Sequence, residues 1–143
     1  MCNREQDLKE WQDIENIFAD ILRQRNPWCV IEQPEGYFKD YDLKLIKQDE
    51  EEIAFEVKYD RMCDDTGNVA IEVTYNWKPS GVFNSVADYI VYYISGTFRC
   101  IRRQSLIQKL EWNKTIRWWD NSLSELILIK KNNFIARCTQ LWQ

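Results

Sequence analysis

Two short runs of this chain alternate apolar and polar residues with a period of two, and together they restrict the fold more than any other feature. Tyr41-Asp42-Leu43-Lys44-Leu45-Ile46 and Ile53-Ala54-Phe55-Glu56-Val57-Lys58 are separated by the polar stretch Gln48-Asp49-Glu50-Glu51. Such a pattern reads as an antiparallel hairpin. A one-residue slip would turn every apolar side chain to the wrong face, so the register is constrained as well. With Asp42 opposite Glu56 the paired position numbers sum to 98 and the loop centres on Asp49. Opposite residues share a face, as do residues two apart on one strand. Asp42, Glu56 and Lys58 therefore meet on one patch, with Leu43, Leu45, Phe55 and Val57 packing behind it.

The segment before the hairpin carries the other periodicity. From Glu5 to Arg25, Leu8, Trp11, Ile14, Ile17, Phe18, Ile21 and Leu22 recur at helical spacing, and Pro27 closes the helix. At 100° per residue Glu15 falls inside this apolar face, where a carboxylate needs a partner or a metal. An extended piece at Trp28–Ile31 leads to the hairpin. A third strand is expected at Val69–Tyr75, then a break at Lys78-Pro79-Ser80-Gly81 and a short helical piece near Asn84–Ala87. Strands at Tyr89–Ile94 and Thr97–Ile101, a helix at Arg102–Trp112, a strand at Glu125–Lys130 and a helix at Asn132–Trp142 complete the pattern. The expected architecture is α/β: a central mixed sheet flanked by helices, built as a helix followed by a meander of strands.

The length of 143 residues suits one domain, and no linker or repeat divides it. No apolar run reaches the roughly 18 residues of a membrane span, and the first residues lack a secretion signal, so a cytoplasmic protein without membrane contact is expected. The five cysteines are odd in number and contain no C-x-x-C pair, which points to free thiols rather than disulfides or a thiolate metal site.

Histidine is absent throughout. This excludes Ser-His-Asp and Cys-His catalysis, H-E-x-x-H zinc hydrolysis and His-metal nucleases. Hydrolysis by this chain must rest on carboxylates, lysine and a hard metal ion. Charge is also unevenly placed: residues 1–72 carry nine Lys and Arg against nineteen Asp and Glu, whereas residues 73–143 carry ten against four. An acidic metal site beside a basic, phosphate-contacting surface has this distribution, and so does a solvated charge asymmetry without function.

A pair of carboxylates on adjacent strands suits Mg²⁺ or Mn²⁺, and Lys58 stands where it can orient a water or stabilise developing charge. An E-x-K on a strand is equally what an ordinary cross-strand ion pair looks like. The wider pattern favours chemistry. A helix bearing an acid (Glu15), a strand bearing Asp42 and a strand bearing Glu56-Val57-Lys58 resemble the PD-(D/E)XK nuclease superfamily. Lys58-Tyr59-Asp60-Arg61, Thr66-Gly67-Asn68-Val69-Ala70-Ile71-Glu72, Lys78-Pro79-Ser80-Gly81 and Ala87-Asp88-Tyr89 resemble a phage and bacterial branch of small endonucleases. The likeness spans residues 10 to 94, and it departs from the pattern where Tyr41, not proline, precedes Asp42.

The resemblance implies a metal-dependent endonuclease acting on DNA, as a junction resolvase or a site- or structure-specific enzyme, with a homodimer suited to cutting two strands. It implies Asp42, Glu56 and Val57 as metal-holding positions, and Asp42, Glu56, Lys58, Glu15 and Glu72 as the catalytic set. Asp40 shares the face of Asp42 and is the alternative aspartate. Lys78, Arg102, Arg103, Lys114 and Arg117 are candidate phosphate contacts. Trp77, Trp112, Trp118 and Trp119 suit core packing or base stacking. Two other readings remain at this stage: an inactive nuclease-fold protein that binds nucleic acid or regulates, and an interaction module with an acidic face.

Overall fold

The computed structural model describes residues 4–35, 40–110, 116–117 and 124–141. Trp112, Lys114, Trp118 and Trp119 lie outside these, as does the side chain of Arg117.

Helix α1 (Arg4–Arg25) forms where the apolar spacing places it. It ends at Asn26, whose backbone N–H and side-chain amide both donate to the Leu22 carbonyl, at 2.9 and 3.0 Å. Its buried face is narrower than the periodicity predicts. Ile14, Phe18, Ala19 and Leu22 are buried, while Leu8 and Ile17 remain 52% and 48% exposed. Glu15 is 3% exposed, inside the apolar face as expected.

Strands β1 (Val30–Glu32), β2 (Leu43–Ile46) and β3 (Glu52–Tyr59) follow. The hairpin register is the one the alternation requires: Leu43 faces Phe55 and Ile46 faces Glu52, so paired numbers sum to 98. The meander then breaks. Helix α2 (Cys63–Thr66), β4 (Asn68–Tyr75), β5 (Lys78–Pro79) and a 3-10 turn at Gly81–Phe83 form an excursion, after which β6 (Tyr89–Ile94) pairs parallel with β3. This crossover makes the sheet mixed. Strand β7 (Thr97–Arg102), helix α3 (Arg103–Leu110), β8 (Ile116–Arg117), β9 (Ser124–Lys130), helix α4 (Lys131–Arg137) and β10 (Thr139–Leu141) complete the chain.

The result is a mixed α/β fold with a six-stranded sheet, order β1-β2-β3-β6-β7-β10, and a four-stranded antiparallel sheet, order β5-β4-β9-β8. Alternation located β4 correctly but not its sheet. Val69, Ile71 and Val73 bury one face of β4 against Ile90, Tyr92 and Ile94 of the six-stranded sheet, and that burial has the same period whether the strand lies in the first sheet or across from it. Two helix expectations also shift. The helical piece expected near Asn84–Ala87 is the turn at Gly81–Phe83, and the last helix stops at Arg137 before β10. Phe134, Ile135 and Cys138 fit helical spacing, but Thr139 pairs with Cys100 and the chain extends beside β7.

Two cores lie on opposite faces of the six-stranded sheet. On one, α1 packs Ile14, Phe18 and Leu22 against Leu43, Phe55, Val57, Val91 and Phe98. On the other, the four-stranded sheet, α3 and α4 close over Ile90, Tyr92, Ile94 and Ile101. Among the described residues no helix is long and apolar enough to cross a membrane.

Candidate active site

The site arises from a mismatch in strand length. Strand β2 begins at Leu43, but β3 runs on to Tyr59. Beyond Phe55 the backbone groups of β3 that point toward β2 have no strand to pair with among the described residues, and a buried N–H or carbonyl left so is costly. Side chains fill the gap. Asp42 Oδ2 accepts the Val57 N–H at 2.7 Å, and the Trp11 indole N–H donates to the Val57 carbonyl at 3.2 Å. On the opposite edge Asp88 does the same for Ala54: its Oδ2 accepts the Ala54 N–H at 2.8 Å and its N–H donates to the Ala54 carbonyl at 2.9 Å. The peptide between Glu56 and Lys58 is thereby held on one side by an aspartate and an indole.

Phe55 and Val57 enter the core beneath α1, so Glu56 and Lys58 project from the other face, toward the four-stranded sheet. There they line a cavity of about 390 Å³ with Trp11, Asp60, Glu72, Gly81 and Tyr92. A second cavity of about 270 Å³ adjoins Asp40, Glu56, Lys58, Glu72, Gly81 and Asn84.

The Glu56 carboxyl is perturbed by its surroundings. Burial raises its carboxyl above the ordinary value and the charge of Asp42 raises it further, while Lys58 and Arg103 pull it down. Its Oε2 is buried without a hydrogen-bond donor and stands 3.7 Å from the Lys58 ammonium, within ion-pairing range. The Lys58 ammonium in turn lies 5.9 Å from the centre of the Trp11 ring. A buried carboxylate oxygen lacking a donor, beside a second carboxylate, suits a hard divalent cation. Among the described residues no group of three or more Asp, Glu, Cys or His is close enough to enclose an ion. An ion here would keep several waters, as Mg²⁺ does. The Val57 carbonyl has one lone pair taken by Trp11 and one remaining.

Glu72 reaches the same space from β4. The Ser80 hydroxyl donates to its Oε2 at 2.8 Å and the Ser124 hydroxyl to its Oε1 at 3.1 Å, which fixes the carboxylate. Gly81 makes this approach feasible. At φ +56° a Cβ on it would lie 2.3 Å from the Glu72 carbonyl oxygen, so only glycine lets the turn close over β4. Arg103 secures that turn from α3, donating to the carbonyls of Val82 at 2.8 Å and Phe83 at 3.2 Å.

Asp42, Glu56, Lys58 and Glu72 thus converge, with Asp40 at the rim. Glu15 is buried on α1 one turn beyond Trp11, and the Gln33 amide donates to its Oε1 at 3.2 Å. Of the basic candidates, Lys78 is exposed on the β4–β5 hairpin, and Arg102 is exposed with its guanidinium 5.9 Å from the Tyr89 ring. Trp11, Ser80, Gly81, Asp60 and Ser124 escaped the sequence reading. Asp60 accepts the N–H groups of Met62 and Ala70 at 3.1 Å each and so ties the excursion to β3. Only the Lys58-Tyr59-Asp60-Arg61 segment and the Lys78-Pro79-Ser80-Gly81 break hinted at any of them. An indole donor on an apolar helix face has no pattern of its own.

No protein-family profile matches the chain, and no curated protein matches it. Among solved structures it is similar to a bacterial homing endonuclease, I-Ssp6803I, at 19% identity and a TM-score of 0.50, over 90% of this chain and 77% of that one. At that identity the likeness carries the fold, and the chain shares it with a nuclease.

Proposed function

We propose that this chain is a metal-dependent endonuclease of the PD-(D/E)XK type that hydrolyses phosphodiester bonds in DNA. The observation that carries the reading is the Glu56 carboxylate, raised by burial and by Asp42, with one oxygen lacking a donor and the Lys58 ammonium beside it. Asp42 and Glu56 would hold Mg²⁺ or Mn²⁺, with the Val57 carbonyl within the same reach. Bound there, the cation supplies Lewis acidity toward a phosphate oxygen and lowers the pKa of a water.

The chain's own groups do the rest. Lys58 orients the attacking water and donates to the charge that develops on phosphorus oxygens. The Trp11 ring and the Glu56 carboxylate limit where the ammonium can go. Asp42 keeps the Val57 peptide, and with it the spacing of Glu56 and Lys58, in place. The attacking water gives a proton to solvent as its oxygen bonds to phosphorus, the bond to the departing strand breaks, and that strand's oxygen takes up a proton from solvent. Glu72, held by two hydroxyls, forms the opposite wall of the cleft and adds negative charge facing the metal position.

Linear, branched and single-stranded DNAs incubated with Mg²⁺, Mn²⁺ or EDTA test the proposal. Cleavage of at least one substrate with either ion and none with EDTA is expected. Failure to cut any of them, together with no Mn²⁺ binding by calorimetry, would favour the inactive-fold reading.

A further inference from the structure

The β4–β5 hairpin carries a residue that its turn disfavours. Tyr75 pairs with Lys78, so the loop is the two residues Asn76 and Trp77, with φ of +51° and +66°. Positive φ at both positions defines the I′ turn, whose second position takes glycine by preference. The same chain obeys this rule elsewhere: the β6–β7 hairpin closes through Ser95 and Gly96, at +51° and +76°. In the β4–β5 turn a tryptophan stands where the other turn has glycine. A bulky side chain with positive φ is strained, and such strain persists where it serves a site.

The strained residue is also displayed. Trp77 is 70% exposed and Tyr75 48%, with Lys78 exposed beside them. Fifteen residues from Val73 to Ala87 contain no carboxylate, in a chain whose first 72 contain nineteen. The hairpin springs from the strand that carries Glu72, and the pairing of β4 with β9 shifts register between Glu72 and Thr74. A bulge of this kind re-aims the strand beyond it. Five residues of extended chain put the tip roughly 16 Å from Glu72, about five base-pair steps along a duplex.

We propose that the Tyr75–Lys78 hairpin tip is a DNA-contacting element of this protein, in which Trp77 stacks on a base and Lys78 meets an adjacent phosphate. The inference rests on the nuclease reading for its ligand class, and on the hairpin alone for its place. An exposed aromatic and a neighbouring cation, on a hairpin whose adjoining carboxylate, Glu125, is engaged by the Thr74 hydroxyl at 3.0 Å, match the chemistry of base stacking on a polyanion. They do not match an acidic or purely apolar partner.

The test combines melting with DNA affinity in Ca²⁺ buffer, on wild type, Trp77→Gly, Trp77→Asn and Trp77→Phe. Glycine and asparagine both tolerate positive φ, so their variants should melt no lower than wild type, and one of them keeps the test valid should the other fail to fold. Both should bind DNA about 5- to 150-fold more weakly, equivalent to ~1–3 kcal/mol of base–aromatic stacking. Trp77→Phe keeps a ring and should lose far less. Affinity unchanged in Trp77→Gly and Trp77→Asn overturns the role, as does Trp77→Phe losing as much as they do. A change of oligomeric state in these variants, with DNA affinity intact, would assign the tip to a second copy instead. Wild type that neither binds nor cleaves DNA refutes the nuclease reading itself; wild type that cleaves, with a Trp77→Gly variant that binds equally, refutes only the hairpin.

Discussion

Replacing Gly81 with alanine tests whether the turn over β4 is as close as the structure has it. Two costs are separable. Alanine at φ +56° pays the left-handed penalty of about 1–2 kcal/mol. Its Cβ would also lie 2.3 Å from the Glu72 carbonyl oxygen and 3.2 Å from the Glu72 Cβ. Because the first of these is backbone, the turn must move by about 1 Å, and overpacking of that kind costs a further ~1–3 kcal/mol. The sum, roughly 2–5 kcal/mol, corresponds to about 6–15 °C in melting temperature for a chain of this size. Gly96→Ala is the control, since Gly96 has φ +76° and a Cβ there would meet nothing within 4 Å; it should lose only about 3–6 °C. Cleavage should separate the two variants more sharply. Displacing the turn moves Ser80 and Glu72 in the cleft, and a 1 Å misplacement costs up to about 100-fold in rate, whereas Gly96→Ala should cleave as wild type. Equal melting temperatures for the two variants would refute the close approach. Wild-type cleavage by Gly81→Ala would remove Glu72 from the site.

Glu56→Gln should act oppositely on stability and function: in EDTA at neutral pH it melts higher than wild type, and with Mg²⁺ it binds the ion weakly and does not cleave. The sign follows from its raised carboxyl. With a folded-state pKa above the unfolded value near 4.5, the stabilising contribution of protonation is complete below the unfolded pKa and lost as pH rises through the folded one. Wild-type melting in EDTA should therefore fall over that window relative to Glu56→Gln, and parallel curves would contradict it. Arg103→Ala should lose about 2–3 kcal/mol of stability in a denaturant titration, because it removes the charged donor to the Val82 and Phe83 carbonyls. Arg102→Ala should leave stability unchanged and flatten the salt dependence of DNA binding by about 0.9 in slope; the reverse assignment of effects would refute both roles.

The hairpin and its register were legible because period two leaves one solution once Leu43, Leu45, Phe55 and Val57 must face the core. Glu15 was legible as buried for the same reason, through the helical period. Its neighbour was not, since Gln33 reaches it from beyond α1 and nothing local encodes that contact. The separation of β4 into a second sheet was hidden because Val69, Ile71 and Val73 alternate identically in either place. The gap that creates the site was hidden too: it depends on β2 starting at Leu43 while β3 continues, a difference in length that Asp42 and Trp11 conceal by completing the ladder. Asp42 is consequently part of the fold as well as of the site, so Asp42→Ala removes the acceptor for the Val57 N–H and destabilises the hairpin end. Asp42→Asn keeps an acceptor oxygen there.

Single-turnover cleavage decides whether Asp42, Glu56 and Lys58 form a working phosphodiesterase centre. Wild type, Lys58→Ala and Asp42→Asn are compared with Mg²⁺ on the substrate that wild type cuts best, alongside melting curves. Both variants should fold and bind DNA, and both should cleave at least about 100-fold more slowly. Wild-type rates in folded Lys58→Ala or Asp42→Asn would contradict the account.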